Sequence, residues 1–130
     1  MLISVIIPTH NRANTLPRAL DSVLSQTLPP HEIIVVDDGS SDRTSEIARS
    51  HPAGDGVKLV VSAHPTNRGK GAAVRTGFSR STGEWVLLTD ADMSAPINDL
   101  MVLAAAADHA GPRRNVDLAD RIIVAPSILK

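Results

Sequence analysis

Glu84-Trp85-Val86-Leu87-Leu88-Thr89-Asp90-Ala91-Asp92 is an apolar, β-prone run that delivers two carboxylates as soon as it ends. The stretch from Trp85 to Thr89 has the length of a buried strand, not of a helix. On extended backbone, side chains two apart share a side, so Asp90 and Asp92 are expected to project together while Ala91 points away. Such a pair suits Mg2+ or Mn2+, because carboxylates are hard oxygen donors and two of them leave coordination positions for water or phosphate oxygens. Asp-x-Asp after a strand also has a plainer reading, as solvated loop acids or a helix cap, so its surroundings decide.

The same pattern recurs upstream. Leu2-Ile3-Ser4-Val5-Ile6-Ile7 reads as a strand buried on both faces that stops at Pro8, followed by the polar turn Thr9-His10-Asn11-Arg12. Leu16, Leu20, Val23 and Leu24 then recur at helical spacing, with Asn14 or Thr15 available as the cap and Pro17 tolerable in the first turn. Glu32 to Val36 is a second strand, ended by Asp37-Asp38-Gly39-Ser40-Ser41-Asp42, and Thr44 to Ser50 is a short helix capped by Ser41 or Asp42. Val57 to Val61 is the third strand, Gly69-Lys70-Gly71 opens a helix running to about Arg80, and Thr82-Gly83 turns the chain into the fourth strand. Alternating strands and helices predict an α/β fold: a Rossmann-like, mostly parallel sheet with helices on both faces and ligands beyond the carboxyl ends of the strands. A further helix is expected from Pro96 and Asn98, with Ile97, Leu100, Met101 and Ala104 inward. After the turn Gly111-Pro112-Arg113-Arg114, Ile122-Ile123-Val124 reads as a last strand of the sheet or an arm that pairs with another chain. The expected division is a nucleotide-binding unit over residues 1–107 and a C-terminal segment over residues 108–130.

Composition narrows the function classes. The 130 residues are 42% hydrophobic and 21% charged, with a net charge of -1, which is ordinary globular chemistry of single-domain size. Basic residues form no long run, and Phe78 and Trp85 alone are aromatic, so there is neither an electrostatic footprint nor a stacking platform for a nucleic acid polymer. The absence of cysteine excludes disulfides and thiolate metal sites. No apolar run reaches the ~18 residues that span a bilayer, and Leu2 to Ile7 is too short and lacks the basic flank of a secretory signal. A cytoplasmic location is the expectation.

Gly69-Lys70-Gly71-Ala72-Ala73-Val74, with Asp90 nineteen residues after Gly71, comes close to the dinucleotide fingerprint. Val74 stands where that motif needs a small residue for close helix–sheet approach, and His64 to Arg68 separates strand from glycines, which argues against a nicotinamide site. The plainer expectation for Arg68 to Gly71 is a helix start whose amides and cations attract a diphosphate. Asp37 and Asp38 either cap a following helix or accept hydrogen bonds from a base or ribose. His10, His31, His51, His64 and His109 have no common spacing that gathers a metal site, and are expected as surface or loop residues.

The ordered set Val5-Ile6-Ile7-Pro8-Thr9-His10-Asn11-Arg12, Ser22-Val23-Leu24-Ser25-Gln26 and Glu32 to Asp42 strongly resembles the amino-terminal half of family 2 glycosyltransferases of the GT-A fold. Asn67-Arg68-Gly69-Lys70-Gly71-Ala72-Ala73-Val74-Arg75-Thr76-Gly77 and Thr89-Asp90-Ala91-Asp92-Met93-Ser94-Ala95-Pro96 are similar to the branch that transfers glucose or mannose to dolichyl or other polyprenyl phosphates. The resemblance covers residues 1 to about 101. It implies that Pro8, Thr9 and Asn11 border the nucleotide of a UDP- or GDP-linked sugar, and that Asp38 binds the base with Asp37 its neighbour. Arg68, Lys70 and Arg75 would lie near the diphosphate or nucleoside. Asp90 and Asp92 would bind the divalent ion and, with it, the sugar nucleotide.

The resemblance further implies metal-dependent, inverting transfer of a hexose, with a polyprenyl phosphate as acceptor and a peripheral place at the membrane. Family members have a longer catalytic domain, and beyond Ala107 the match is not followed. Asp99, Asp108, Asp117 and Asp120 are no substitutes on spacing for the missing general base. An acceptor phosphate is already ionised and lessens that need. The competing expectation is a truncated, non-catalytic sugar-nucleotide-binding module whose open sheet edge is covered by a second copy or a partner.

Overall fold

The computed structural model describes residues 2–26, 28–89, 91 and the backbone of 122–124. Among the described residues five strands and three helices follow in the order β1 (Ile3–Thr9), α1 (Leu16–Leu24), β2 (Glu32–Asp37), α2 (Thr44–Ser50), β3 (Lys58–Ala63), α3 (Lys70–Arg80), β4 (Trp85–Leu88) and β5 (Ile122–Val124). They form one sheet in the order β3-β2-β1-β4-β5, with every pairing parallel. The Rossmann-like expectation is met, and Ile122–Val124 is a strand of this sheet, paired with β4. The helix expected from Pro96 and Asn98, with its inward Ile97, Leu100, Met101 and Ala104, lies outside the described residues, as do Asp90 and Asp92.

The chain steps from β1 to β2 to β3 in one direction and then returns past β1 to β4. Right-handed crossovers taken in opposite directions put their helices on opposite faces. Accordingly Leu16, Leu20 and Val23 of α1 and Ala48 of α2 pack with Ile3, Val5, Ile7, Ile33, Val35 and Leu87. On the other face Ala73, Val74 and Phe78 of α3 pack with Ile6, Ile34, Val36, Val86 and Leu88. Period-two alternation along β1 therefore feeds two cores, which is why the strand reads as continuously apolar. The reversal between β1 and β4 leaves a crevice at their carboxyl ends, where open α/β sheets bind ligands.

β1 runs through Pro8 to Thr9 instead of stopping at Pro8. From the β2 side, the His31 and Asp38 amides reach the carbonyls of Ile3 and Thr9; from the β4 side, the Trp85 and Thr89 amides reach those of Leu2 and Ile6. Odd residues of β1 thus face β2 and even residues face β4. The β1–β4 register ends at Ile6 and Leu88, so the donor that Pro8 lacks would point where pairing has already finished.

The caps also differ from expectation. Thr15 holds the N-cap position of α1, but its side chain makes no capping bond and its buried hydroxyl has no partner among the described residues. Arg43 precedes α2, while Asp42 Oδ1 accepts the Thr44 amide at 3.0 Å. At the amino end of the sheet, buried Glu32 Oε1 accepts the Ser4 hydroxyl at 2.7 Å, the Thr82 amide at 2.6 Å and the Thr82 hydroxyl at 3.0 Å. Burial pushes the Glu32 carboxyl up, but these bonds outweigh it and hold the group below the usual glutamate range.

Candidate functional site

Two loops at the carboxyl end of the sheet are stitched together by side-chain to main-chain bonds. Asn11 adopts a left-handed conformation, φ 50°, which asparagine tolerates better than other side chains that carry a Cβ. In that conformation its amide donates to Ser40 Oγ at 2.8 Å, while its Oδ1 accepts the Ser41 amide at 2.8 Å. The Arg12 amide donates to Thr44 Oγ1 at 3.0 Å. Asp37 is buried and accepts the Ser40 amide at 3.0 Å together with the Ser40 hydroxyl. The turn after β2 is thereby locked against the turn after β1 before any ligand is considered.

Asp38 lies where three segments meet. Its carboxylate, 4% exposed, accepts the Arg68 amide on Oδ1 and the Gly69 amide on Oδ2, each at 2.8 Å. His64 Nδ1 also stands 2.8 Å from Asp38 Oδ1, and His64 Nε2 stands 2.8 Å from Thr76 Oγ1 on α3. Burial raises the Asp38 pKa, but the bonds from His64, Arg68 and Gly69 more than offset it and leave the carboxyl below its ordinary range. The Arg68 and Gly69 amides, expected as part of an anion cradle, are therefore engaged by Asp38. His64 is 9% exposed and lies in the loop directly after β3, so of its two expected places it takes the loop and not the surface. The residue type alone carried no signal, because its partners are 26 and 12 residues away in sequence.

Above this junction is a cavity of about 640 Å³. Pro8, Thr9, His10, Asn11 and Arg12 line it from the end of β1 and the turn after it, Asp38 from just past β2, and Asn67, Gly69, Lys70 and Ala73 from the approach to α3 and its first turn. Ala91, just past β4, completes the wall. Thr9 Oγ1 is buried and has no hydrogen-bond partner among the described residues. His10 Nδ1 is 2.9 Å from the Asp38 carbonyl and Nε2 is 3.3 Å from Asn11 Nδ2. A carbonyl only accepts, so the proton sits on Nδ1, and Nε2 accepts from the Asn11 amide.

Of the residues singled out in the sequence, Pro8, Thr9, Asn11, Asp38 and Lys70 line the cavity together, whereas Asp37 is not in its wall. The Arg68 and Arg75 side chains are exposed and also outside the lining. His10, Arg12, Asn67 and Ala73 are added by the tertiary structure. Among the described residues no three His, Asp or Glu side chains gather into a metal-sized group.

A model of the family described as Glycosyl transferase family 2 matches residues 4–124. The dolichyl-phosphate beta-glucosyltransferase of Homo sapiens is 37% identical over 122 residues, an alignment covering 87% of this chain and 38% of that protein. Among solved structures, S. aureus TarS 1-349 in complex with UDP-GlcNAc superposes with a TM-score of 0.71 at 33% identity, covering 85% of this chain and 32% of that one. The mannosyltransferase PcManGT from Pyrobaculum calidifontis, in complex with GDP-Man and Mn2+, gives 0.66 at 34% identity over 82% of this chain and 31% of that one. The chain thus spans between 31% and 38% of the length of these relatives.

Proposed function

Because this chain belongs to glycosyl transferase family 2, we propose that its cavity holds a UDP- or GDP-linked sugar and that residues 1–107 form the sugar-nucleotide-binding unit. The observation carrying this reading is a cavity at the β1–β4 reversal whose wall holds a buried hydroxyl, Thr9 Oγ1, with no partner among the described residues. A buried hydroxyl left unpaired is costly, and a polar ligand relieves it. In this reading Pro8, Thr9 and Asn11 border the nucleoside, Asp38 accepts from the base, and Asp37 holds the turn behind it. Lys70 faces the diphosphate, with Arg68 and Arg75 nearby.

Asp90 and Asp92 would hold Mg2+ or Mn2+, which suits their hard oxygen donors, and Ala91 between them lines the cavity. The ion, when bound, offsets charge on the leaving diphosphate. The reaction is transfer of a hexose with inversion to a polyprenyl phosphate. An ionised phosphate oxygen bonds to the anomeric carbon as the bond from that carbon to the diphosphate oxygen breaks, and no general base is required. A lipid-linked acceptor puts the protein at the cytoplasmic face of a membrane. Among the described residues no helix is long and apolar enough to cross one. Similarity to a dolichyl-phosphate beta-glucosyltransferase supports the choice of acceptor.

Calorimetric titration with UDP- and GDP-sugars in the presence of Mn2+, followed by incubation with a polyprenyl phosphate, tests each part. Binding of neither nucleotide refutes the assignment. Binding without hydrolysis or transfer at high protein concentration reduces the function to a binding module. Asp92→Ala is expected to weaken Mn2+-dependent binding by about tenfold or more, and unchanged affinity places the metal elsewhere.

A further inference from the structure

We propose that His64 is a positioning residue that makes Asp38 a one-site acceptor and thereby tunes the cavity to a base with a single ring N–H, so that the donor is a uridine diphosphate sugar. The inference rests on the reading of the cavity as a sugar-nucleotide site. It starts from a count of hydrogen bonds. An ionised carboxylate offers about four acceptor sites on its two oxygens. Oδ1 of Asp38 takes the Arg68 amide and His64 Nδ1, and Oδ2 takes the Gly69 amide. Oδ1 is full, and one acceptor site is left, on Oδ2 of a residue that lines the cavity.

The direction of the His64 bond follows from chemistry. A carboxylate does not donate, so the proton between His64 and Asp38 belongs to Nδ1. Nε2 then accepts the Thr76 hydroxyl proton in the neutral ring, or donates to the same oxygen in the charged one. Either way Oδ1 stays filled. His64 is also fixed from its backbone, whose amide donates to the Asp37 carbonyl at 2.8 Å, and from α3 through Thr76 at 2.8 Å. The imidazole therefore cannot swing aside without breaking bonds to two elements.

Guanine presents a ring N–H and an exocyclic amino group side by side, a pair matched by both oxygens of one carboxylate. With Oδ1 full, one guanine donor is left unpaired when the base docks on Asp38. Uracil presents only its N3–H on that edge, which the remaining site on Oδ2 satisfies. A site that leaves a buried donor unpaired discriminates strongly against the ligand carrying it.

Calorimetric titration of the 130-residue chain with UDP and with GDP, both with Mn2+, is the test. The wild type is expected to favour UDP by about tenfold or more. His64→Leu frees Oδ1 and is expected to move the ratio about tenfold towards GDP. His64→Asn, whose amide nitrogen replaces Nδ1, is expected to keep the wild-type ratio, which a merely structural role would not require. If His64→Leu loses its cooperative unfolding transition, His64→Gln takes its place, since its amide reaches towards Thr76 instead of Asp38. Equal or tighter binding of GDP by the wild type overturns the inference alone, and so does a UDP preference that survives His64→Leu or, where that variant does not fold, His64→Gln. Binding of neither nucleotide overturns the donor-site reading along with it.

Discussion

Gly77→Ala sets helix propensity against packing. Gly77 lies in α3, where alanine is intrinsically better than glycine by ~1 kcal/mol. A Cβ built at Gly77 would nevertheless stand 2.4 Å from Ile6 Cγ2, 3.1 Å from Cδ1 and 3.2 Å from Cγ1. Ordinary contact begins at 3.4 Å, so helix and strand must separate by about 1 Å. Ile6 cannot yield, being fully buried in the central strand with Ile34 paired on one side and Leu88 on the other. Overpacking of this kind costs ~1–3 kcal/mol, and the upper part of that range applies where the strained neighbour is immobile. The expected net result is destabilisation by ~1–2 kcal/mol after the propensity gain. Urea denaturation should show a lower midpoint with an unchanged m value. Gly71→Ala on the same helix is the contrast: its Cβ meets only Arg75 Nη1, at 3.8 Å, so a gain of ~0.5 kcal/mol is expected. In an Ile6→Ala background, Gly77→Ala should become neutral or stabilising, a coupling that a double-mutant cycle reads directly. A Gly77→Ala variant as stable as the parent would refute the claim that α3 touches β1 here.

Thr9→Val removes a buried hydroxyl with no partner among the described residues, so thermal stability should hold or rise by ~1 kcal/mol while affinity for the sugar nucleotide falls in calorimetry; a variant with unchanged affinity would exclude that hydroxyl from the site. Gly39→Ala should destabilise by more than ~2 kcal/mol, because φ is +71° and the new Cβ would lie 2.4 Å from the backbone of Thr66 and Asn67; near-wild-type unfolding would disprove that close approach. Glu32 has a folded pKa held below its ordinary range by Ser4 and Thr82 against the opposing effect of burial. Its stabilisation is thus complete above the unfolded pKa and disappears as pH falls through the lower folded value. Glu32→Gln should flatten that acid limb in urea midpoints measured against pH, and an unchanged limb would assign it to other carboxylates.

The strands and helices were legible because each carries a local signal. Continuous β-branched runs ending in Asp37, Asp38, Asp90 and Asp92 announce parallel strands that deliver polar groups to one end, and Gly69 and Arg80 bracket α3 within a residue. Pro8 misled, because a proline reads as a stop, while its tolerance depends on where the neighbouring strand ends, and that is a property of the β1–β4 register. The tight contact between α3 and the sheet falls at Gly77, one turn after Val74, because a motif's spacing does not report which turn of a helix meets the sheet.

By itself the sequence determined the α/β class, the order of its elements and the end of the sheet where Thr9, Asn11, Asp38 and Lys70 collect, since these follow from periodicity and from side chains adjacent to strand ends. Only the tertiary structure decided that Asp38 is saturated on one oxygen, that two amides of the α3 approach are engaged by it, and that His64 is buried between β2 and α3. The physical reason is distance along the chain. Hydrogen bonds between residues 12 to 31 apart leave no periodic trace in sequence, yet they fix how many acceptor sites a carboxylate has left for a ligand.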